Sequence, residues 1–229
     1  MTGGERRLAY RLEQKLEDDW LLWYDVPLGP HNVHPDFVVF NPRRGILVLE
    51  VKDWKLDTIQ EIDRQSASIL TANGLKRVAN PLEQARQYAH EVCNLLQRDP
   101  QLTINSGRMQ GTLLFPWGYG IVLANISRKQ FDSTNLGDVI EPHRVICQDE
   151  MTESVDAEAF QERLWGMLPF VRSVPLSLPQ IDRIRWHLFP EIRIAAPAQA
   201  GLFDTPEPEI PDIVRVMDLQ QEQLARSLG

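Results

Sequence analysis

Apolar and polar positions alternate between two periods along the chain, and the changes of period mark its elements. From Gly4 to about Asp18, Leu8, Leu12 and Leu16 recur at helical spacing, within about 80° of one another at ~100° per residue. Glu5 falls inside that apolar stripe, whereas Glu13 lies off it and faces water. Trp20–Val26 reads as a strand that Pro27-Leu28-Gly29-Pro30 ends. Two β-branched and aromatic runs follow, Asp36–Phe40 and Gly45–Lys52, joined by the turn residues Asn41-Pro42-Arg43-Arg44-Gly45. Asp57 to about Leu70 reads as a strand pair or long ribbon, and Asn73-Gly74 turns it back into Leu75–Val78. Asn80-Pro81 opens a helix to about Arg98, buried along Leu82, Ala85, Ala89, Val92 and Leu96. Further strands are expected at Met109–Phe115, Tyr119–Ala124 and His143–Cys147, with Trp117 in the core. A helix is expected at Asp156–Phe170 with Trp165 on its apolar side, and a short one at Gln180–Phe189. The order predicts an α/β sandwich, a mixed β-sheet flanked by helices.

The run Gly45–Lys52 carries the chemistry. It is nearly all apolar, as a strand covered on both faces should be, yet Glu50 and Lys52 interrupt it. Two residues apart, they project from one face. In a hairpin, Asp36 at the start of one strand lies across from the end of the other, where strands run roughly 4.8 Å apart. Two carboxylates and an ammonium thus converge at one end of a sheet. Hard oxygen ligands suit Mg²⁺ or Mn²⁺, and a lysine beside such an ion can orient an attacking water. A strand-end salt bridge between Lys52 and a carboxylate explains the same residues without any ligand.

Pro35-Asp36, then thirteen residues, then Glu50-Val51-Lys52 resembles the PD-(D/E)XK nuclease motif. With Gly4-Glu5 ahead of it and Asp53-Trp54 behind, the chain over roughly residues 3–130 is similar to the nuclease-related domain family, NERD. That resemblance implies a PD-(D/E)XK nuclease-like fold and a metal-dependent deoxyribonuclease. Asp36 and Glu50 would bind Mg²⁺ with the Val51 carbonyl as a third oxygen, Lys52 would position the water, and Glu5 would hold a metal-bound water or a second ion. The family usually has an acid-then-apolar pair before the aspartate, where this chain has His34-Pro35. His34 lies two before Asp36, so in an extended strand it shares the metal-facing side and is an additional candidate ligand, though Pro35 disturbs that geometry. Gln84 and Tyr88, four apart on the helix after the motif, resemble a Gln-x-x-x-Tyr pair of RecB-like nucleases, which implies contact with DNA backbone or ordering of the lysine. A helix flank with an amphipathic tyrosine reads equally well.

Composition changes the picture in one respect. The net charge of −8 suits a nucleic-acid binder poorly, but residues 1–130 carry 16 Lys+Arg and 15 Asp+Glu, so the acidity belongs to the second half. Arg43, Arg44, Lys52, Lys55, Lys76, Arg77 and Arg86 are then a candidate basic rim for phosphates, or simply scattered solvated charge. Two distant cysteines, Cys93 and Cys147, without C-x-x-C spacing, argue for a reducing compartment and against structural zinc. The first residues have no apolar signal region and no run approaches the ~20 residues of a membrane span, so a cytoplasmic protein is expected.

Four segments are expected: the nuclease-like core over 1–130, the rest of the α/β domain over 131–172, a Pro-rich connector with a short helix over 173–212, and a final regular segment over 213–229. Within the last, Asp218-Leu219-Gln220-Gln221-Glu222-Gln223 resembles the glutamine-bearing segment ahead of the Walker A loop in UvrD-like superfamily 1 helicases. The expected partners are thus DNA and a C-terminal helicase domain in a longer chain. A C-terminal amphipathic helix is the plainer reading of that segment. The alternative function is a non-catalytic DNA-binding or regulatory module that positions the helicase.

Overall fold

The computed structural model describes residues 1–29, 32–170 and 175–190. Its centre is a mixed five-stranded sheet. Strands β1 (Leu21–Tyr24), β2 (Phe37–Asn41) and β3 (Gly45–Lys52) run antiparallel in sequence order. Strands β7 (Trp117–Leu123) and β8 (Val145–Cys147) then add in parallel to β3, giving the order β1-β2-β3-β7-β8. Gly45, at φ 104°, closes the β2–β3 turn, and a Cβ there would lie 2.0 Å from the Pro116 carbonyl oxygen. Only glycine meets both demands.

Helices cover both faces, which is why β2 and β3 are apolar over most of their length. On one face Phe37, Val39, Leu47, Leu49 and Val51 pack with Leu8 and Leu12 of α1 (Gly3–Lys15). Phe160 and Leu164 of α4 (Ala157–Trp165) join them, and Trp165 stacks on Trp20 at 4.2 Å. On the other face Val38, Phe40, Ile46 and Val48 meet Ala89, Val92 and Leu96 of α2 (Pro81–Gln97). Ile184 and Leu188 of α5 (Leu178–Leu188) pack on the same cluster. The short helix expected inside the connector is therefore part of the α/β unit, which extends over Met1–Glu191. A five-residue helix, α3 (Arg128–Asp132), follows β7.

Between β3 and α2 the chain makes a separate antiparallel sheet of β4 (Ile59–Ile62), β5 (Ser66–Thr71) and β6 (Gly74–Ala79). The base of the β5–β6 hairpin is closed by Asn80, whose N–H donates to the Gln65 carbonyl at 2.9 Å and whose amide donates to that of Asp63, in the β4–β5 turn, at 2.7 Å.

Met109–Phe115 is not a strand. It belongs to an irregular hairpin closed by an isolated Thr103–Leu113 bridge, with Gly107 and Gly111 at positive φ and Met109 exposed. The two glycines impose turns that the apolar run does not reveal. Residues 191–229, with the expected linker and helicase-like segment, lie outside the described residues.

Candidate active site

Alternation along β3 assigns the faces. Leu47, Leu49 and Val51 point to α1; Ile46 and Val48 point to α2, so Glu50 and Lys52 continue on the α2 side. Extending the register Phe37–Leu49 by one residue sets Asp36 directly opposite Glu50. Directly opposed residues share a face, and the hairpin thus brings both carboxylates to one end of the sheet, as the sequence predicts.

Asp36 Oδ2 accepts the Val51 N–H at 2.7 Å. The N–H and C=O of a strand residue point to the same edge, so the Val51 carbonyl is directed to the Asp36 side. Lys52, one residue on, gives its own carbonyl to the Ala124 N–H on the β7 side at 3.0 Å. The Lys52 ammonium donates to Glu50 Oε1 at 2.6 Å and to Gln84 Oε1 at 3.3 Å. Gln84 Nε2 in turn donates to the Tyr88 hydroxyl at 3.0 Å. Asn80 caps α2 by accepting the Leu82 N–H, which starts the helix in phase to present Gln84 and Tyr88, one turn apart, to the end of β3.

Glu50 is 3% exposed, and its second oxygen, Oε2, is the one buried side-chain polar atom without a hydrogen-bond partner among the described residues. Burial pushes its carboxyl up to about 7, against the opposing pull of the Lys52 charge, with Asp36 adding to the rise. Asp36 is pushed up to about 6, chiefly by burial, partly offset by the Val51 N–H and reinforced by Glu5. Two desolvated carboxylates that repel one another lower their energy by gaining a cation. Two carboxylates and a directed carbonyl are hard oxygen donors, so the residues present fit Mg²⁺ or Mn²⁺. Among the described residues no group of three or more His, Cys, Asp or Glu side chains is arranged to hold a metal.

Glu5 stands at the third position of α1 and closes a capping box with Thr2. It is 8% exposed, and its Oε2 accepts the Thr2 N–H at 2.8 Å and the Tyr24 hydroxyl at 2.7 Å. The start of α1 is seated on the end of β3: Gly4 N–H donates to Asp53 Oδ2 at 3.2 Å, and a Cβ on Gly4 would lie 2.5 Å from Asp53 Oδ1. Tyr24 carries no sequence signal, because its partner is 19 residues away on another element.

His34 lies outside β2, since the strand begins at Phe37. Its ring nitrogens are engaged by Asp25 at 3.0 Å and Asn32 at 3.1 Å, so it is not drawn in beside Glu50. Arg43 and Arg44 sit in the β2–β3 turn, and Arg44 lies over the Trp165 ring at 5.2 Å. Six residues at ~3.3 Å each separate Arg44 from Glu50, roughly 20 Å. The hairpin that joins Asp36 to Glu50 necessarily holds its turn at the far end, so these arginines do not rim the site. Lys55 is exposed just beyond the end of β3 that carries Glu50 and Lys52. Lys76 and Arg77 belong to β6, and Arg86 is held by Glu83 at 2.7 Å.

Among the described residues no helix is long and apolar enough to cross a membrane. No curated protein and no solved structure matches the chain. A family model, the nuclease-related domain, matches residues 2–116, which span every residue of the Asp36–Glu50–Lys52 site. The mixed sheet between helical layers is consistent with a nuclease-like fold. The chain belongs to the nuclease-related domain family, NERD.

Proposed function

We propose that this domain is a metal-dependent deoxyribonuclease that hydrolyses phosphodiester bonds. The observation that carries the reading is Glu50 Oε2, buried and unpartnered beside a second desolvated carboxylate. Asp36, Glu50 and the Val51 carbonyl would hold Mg²⁺ or Mn²⁺. When bound, such a cation offsets the negative charge that develops on the scissile phosphate. Lys52, an ammonium with three donors, spends one on Glu50 and one on Gln84 and points the third toward the attacking water. Gln84 fixes the lysine's direction, and Tyr88 fixes that of Gln84. The water oxygen would bond to phosphorus and lose a proton to solvent, while the bond to the departing sugar oxygen breaks and that oxygen takes a proton from solvent.

The Lys52–Glu50 pair also favours a second reading, a non-catalytic DNA-binding module whose lysine serves only an ion pair. Incubation of plasmid and single-stranded DNA with Mg²⁺ or Mn²⁺ separates the two. Cleavage by the wild type that Asp36→Ala and Lys52→Ala both lose, with unchanged melting temperatures, is the expected result. DNA binding without cleavage in any form supports the second reading and sinks the first. Asp218–Gln223 supports a helicase partner in the same polypeptide; the mass of the protein isolated from its own cells tests that.

A further inference from the structure

Each hydrogen bond that Glu5's carboxylate accepts from a described residue ends on the same atom. Thr2 N–H, at 2.8 Å, and the Tyr24 hydroxyl, at 2.7 Å, both reach Oε2, and the terminal ammonium lies 3.8 Å from it. Thr2 and the terminus belong to the end of a helix, where short-range order is weak. Tyr24 does not. It stands in β1, opposite Phe37 in the register, and its ring packs on Phe37 at 5.3 Å. Phe37 is the residue after Asp36. One side chain therefore ties the carboxylate of α1 to the strand that bears Asp36. The start of α1 also sits on the end of the strand that carries Glu50, where the Gly4 N–H donates to Asp53 Oδ2 at 3.2 Å. Burial and the bond to Glu5 push the Tyr24 hydroxyl far above its usual range, so it remains a donor throughout the working pH range.

We propose that Tyr24 is a positioning residue for the metal site: it pins Oε2 of Glu5 and so leaves Oε1 as the oxygen offered to the water shell of a cation held by Asp36 and Glu50. The inference rests on the function proposed above and adds to it a residue that touches neither metal nor DNA. A hydroxyl that only filled space would be replaceable by hydrogen at no cost to the cation. A hydroxyl that orients Glu5 acts through Glu5 alone.

Calorimetric titration of the metal-free protein with Mn²⁺ tests this without reference to catalysis. Tyr24→Phe keeps the ring against Phe37 and should melt with the wild type, yet bind Mn²⁺ about three- to tenfold more weakly, the scale of one lost hydrogen bond to a charged group. Glu5→Gln should weaken binding at least as much, and adding Tyr24→Phe to it should cost nothing further, because both changes remove one effect. Equal affinity for wild type and Tyr24→Phe, or losses that add in the double variant, overturns the positioning role. Asp36→Ala is the control for the underlying reading. If Asp36→Ala abolishes Mn²⁺ binding while Tyr24→Phe leaves it intact, only this inference fails. If Asp36→Ala binds Mn²⁺ as the wild type does, the metal site and the inference fall together.

Discussion

Two buried carboxylates, Glu50 and Asp99, have nearly the same exposure and opposite surroundings. Both are 3% exposed. Asp99, just past the end of α2, accepts the Gln101 N–H at 2.9 Å, the Arg183 guanidinium at 2.5 Å and the His187 ring at 2.9 Å. These partners hold its carboxyl down at about 2, with Arg183 the largest contributor. Glu50 has one partner on one oxygen and none on the other, and its carboxyl rises to about 7. Glu150 follows Asp99: Arg128 and Arg163 bind it, and it is held below the ordinary range despite its burial. Burial of a charge is thus not the mark of the site. What sets Glu50 apart is a buried carboxylate whose hydrogen bonding is incomplete among the described residues. Asp99 fastens α5 to α2; Glu50 keeps one oxygen with no hydrogen-bond partner among the described residues.

Exchange of the two carboxylates gives the largest expected effect. Glu50→Gln should lower DNA cleavage by more than about a hundredfold while leaving the metal-free protein at least as stable as before, since a desolvated charge is removed. Asp99→Ala should leave the cleavage rate within about twofold and lower the melting temperature by roughly 3–6 °C. Cleavage assays beside thermal melts read both, and a Glu50→Gln protein that unfolds more readily than Asp99→Ala would invert the comparison.

The pH dependence of stability should also differ in sign. Glu50 and Asp36 bind protons more tightly folded than unfolded, so their contribution is greatest below about pH 4 and declines as pH rises to about 7. Asp99 binds protons more weakly when folded; its contribution is complete above about pH 4 and is lost as pH falls toward 2. Melts of the metal-free protein from acid to neutral pH should show the decline flattened in Glu50→Gln and the acid loss flattened in Asp99→Asn. Mn²⁺ should raise the melting temperature more at neutral pH than at about pH 5, because protons compete for the same oxygens.

The smallest effect is expected at the far end of the hairpin. Arg43→Ala and Arg44→Ala together should change cleavage by less than about twofold, whereas Lys55→Ala, just beyond β3, should weaken DNA binding in a salt-dependent way. Filter binding over a salt series decides it, and a strong loss in the paired arginine variant would reopen the rim.

The hairpin and the Asp36–Glu50–Lys52 convergence were legible because periods of two and turn residues are local, and a hairpin fixes its own register. The same logic, carried one step further, would have put Arg43 and Arg44 at the opposite end; closeness in sequence to the motif misled. Met109–Phe115 has the apolar content of a strand, but Gly107 and Gly111, at positive φ, decide its backbone. His34 was expected to follow the strand's alternation, and the strand starts too late to include it. Tyr24 and Asp99 were out of reach altogether. Their roles depend on Glu5, Arg183 and His187, which only the folded chain brings near, and a tyrosine in a strand or an aspartate after a helix has many ordinary explanations.

The β5–β6 hairpin leaves the β4–β5 turn after Gln65 and comes back at Asn80, which clasps both Asp63 and Gln65. Because its two stems are stapled to one another at the base, the excursion between them can lengthen, shorten or be exchanged without pulling Gln84 away from Lys52. Any such graft would change the hairpin while the Asp36–Glu50–Lys52 cluster keeps its shape.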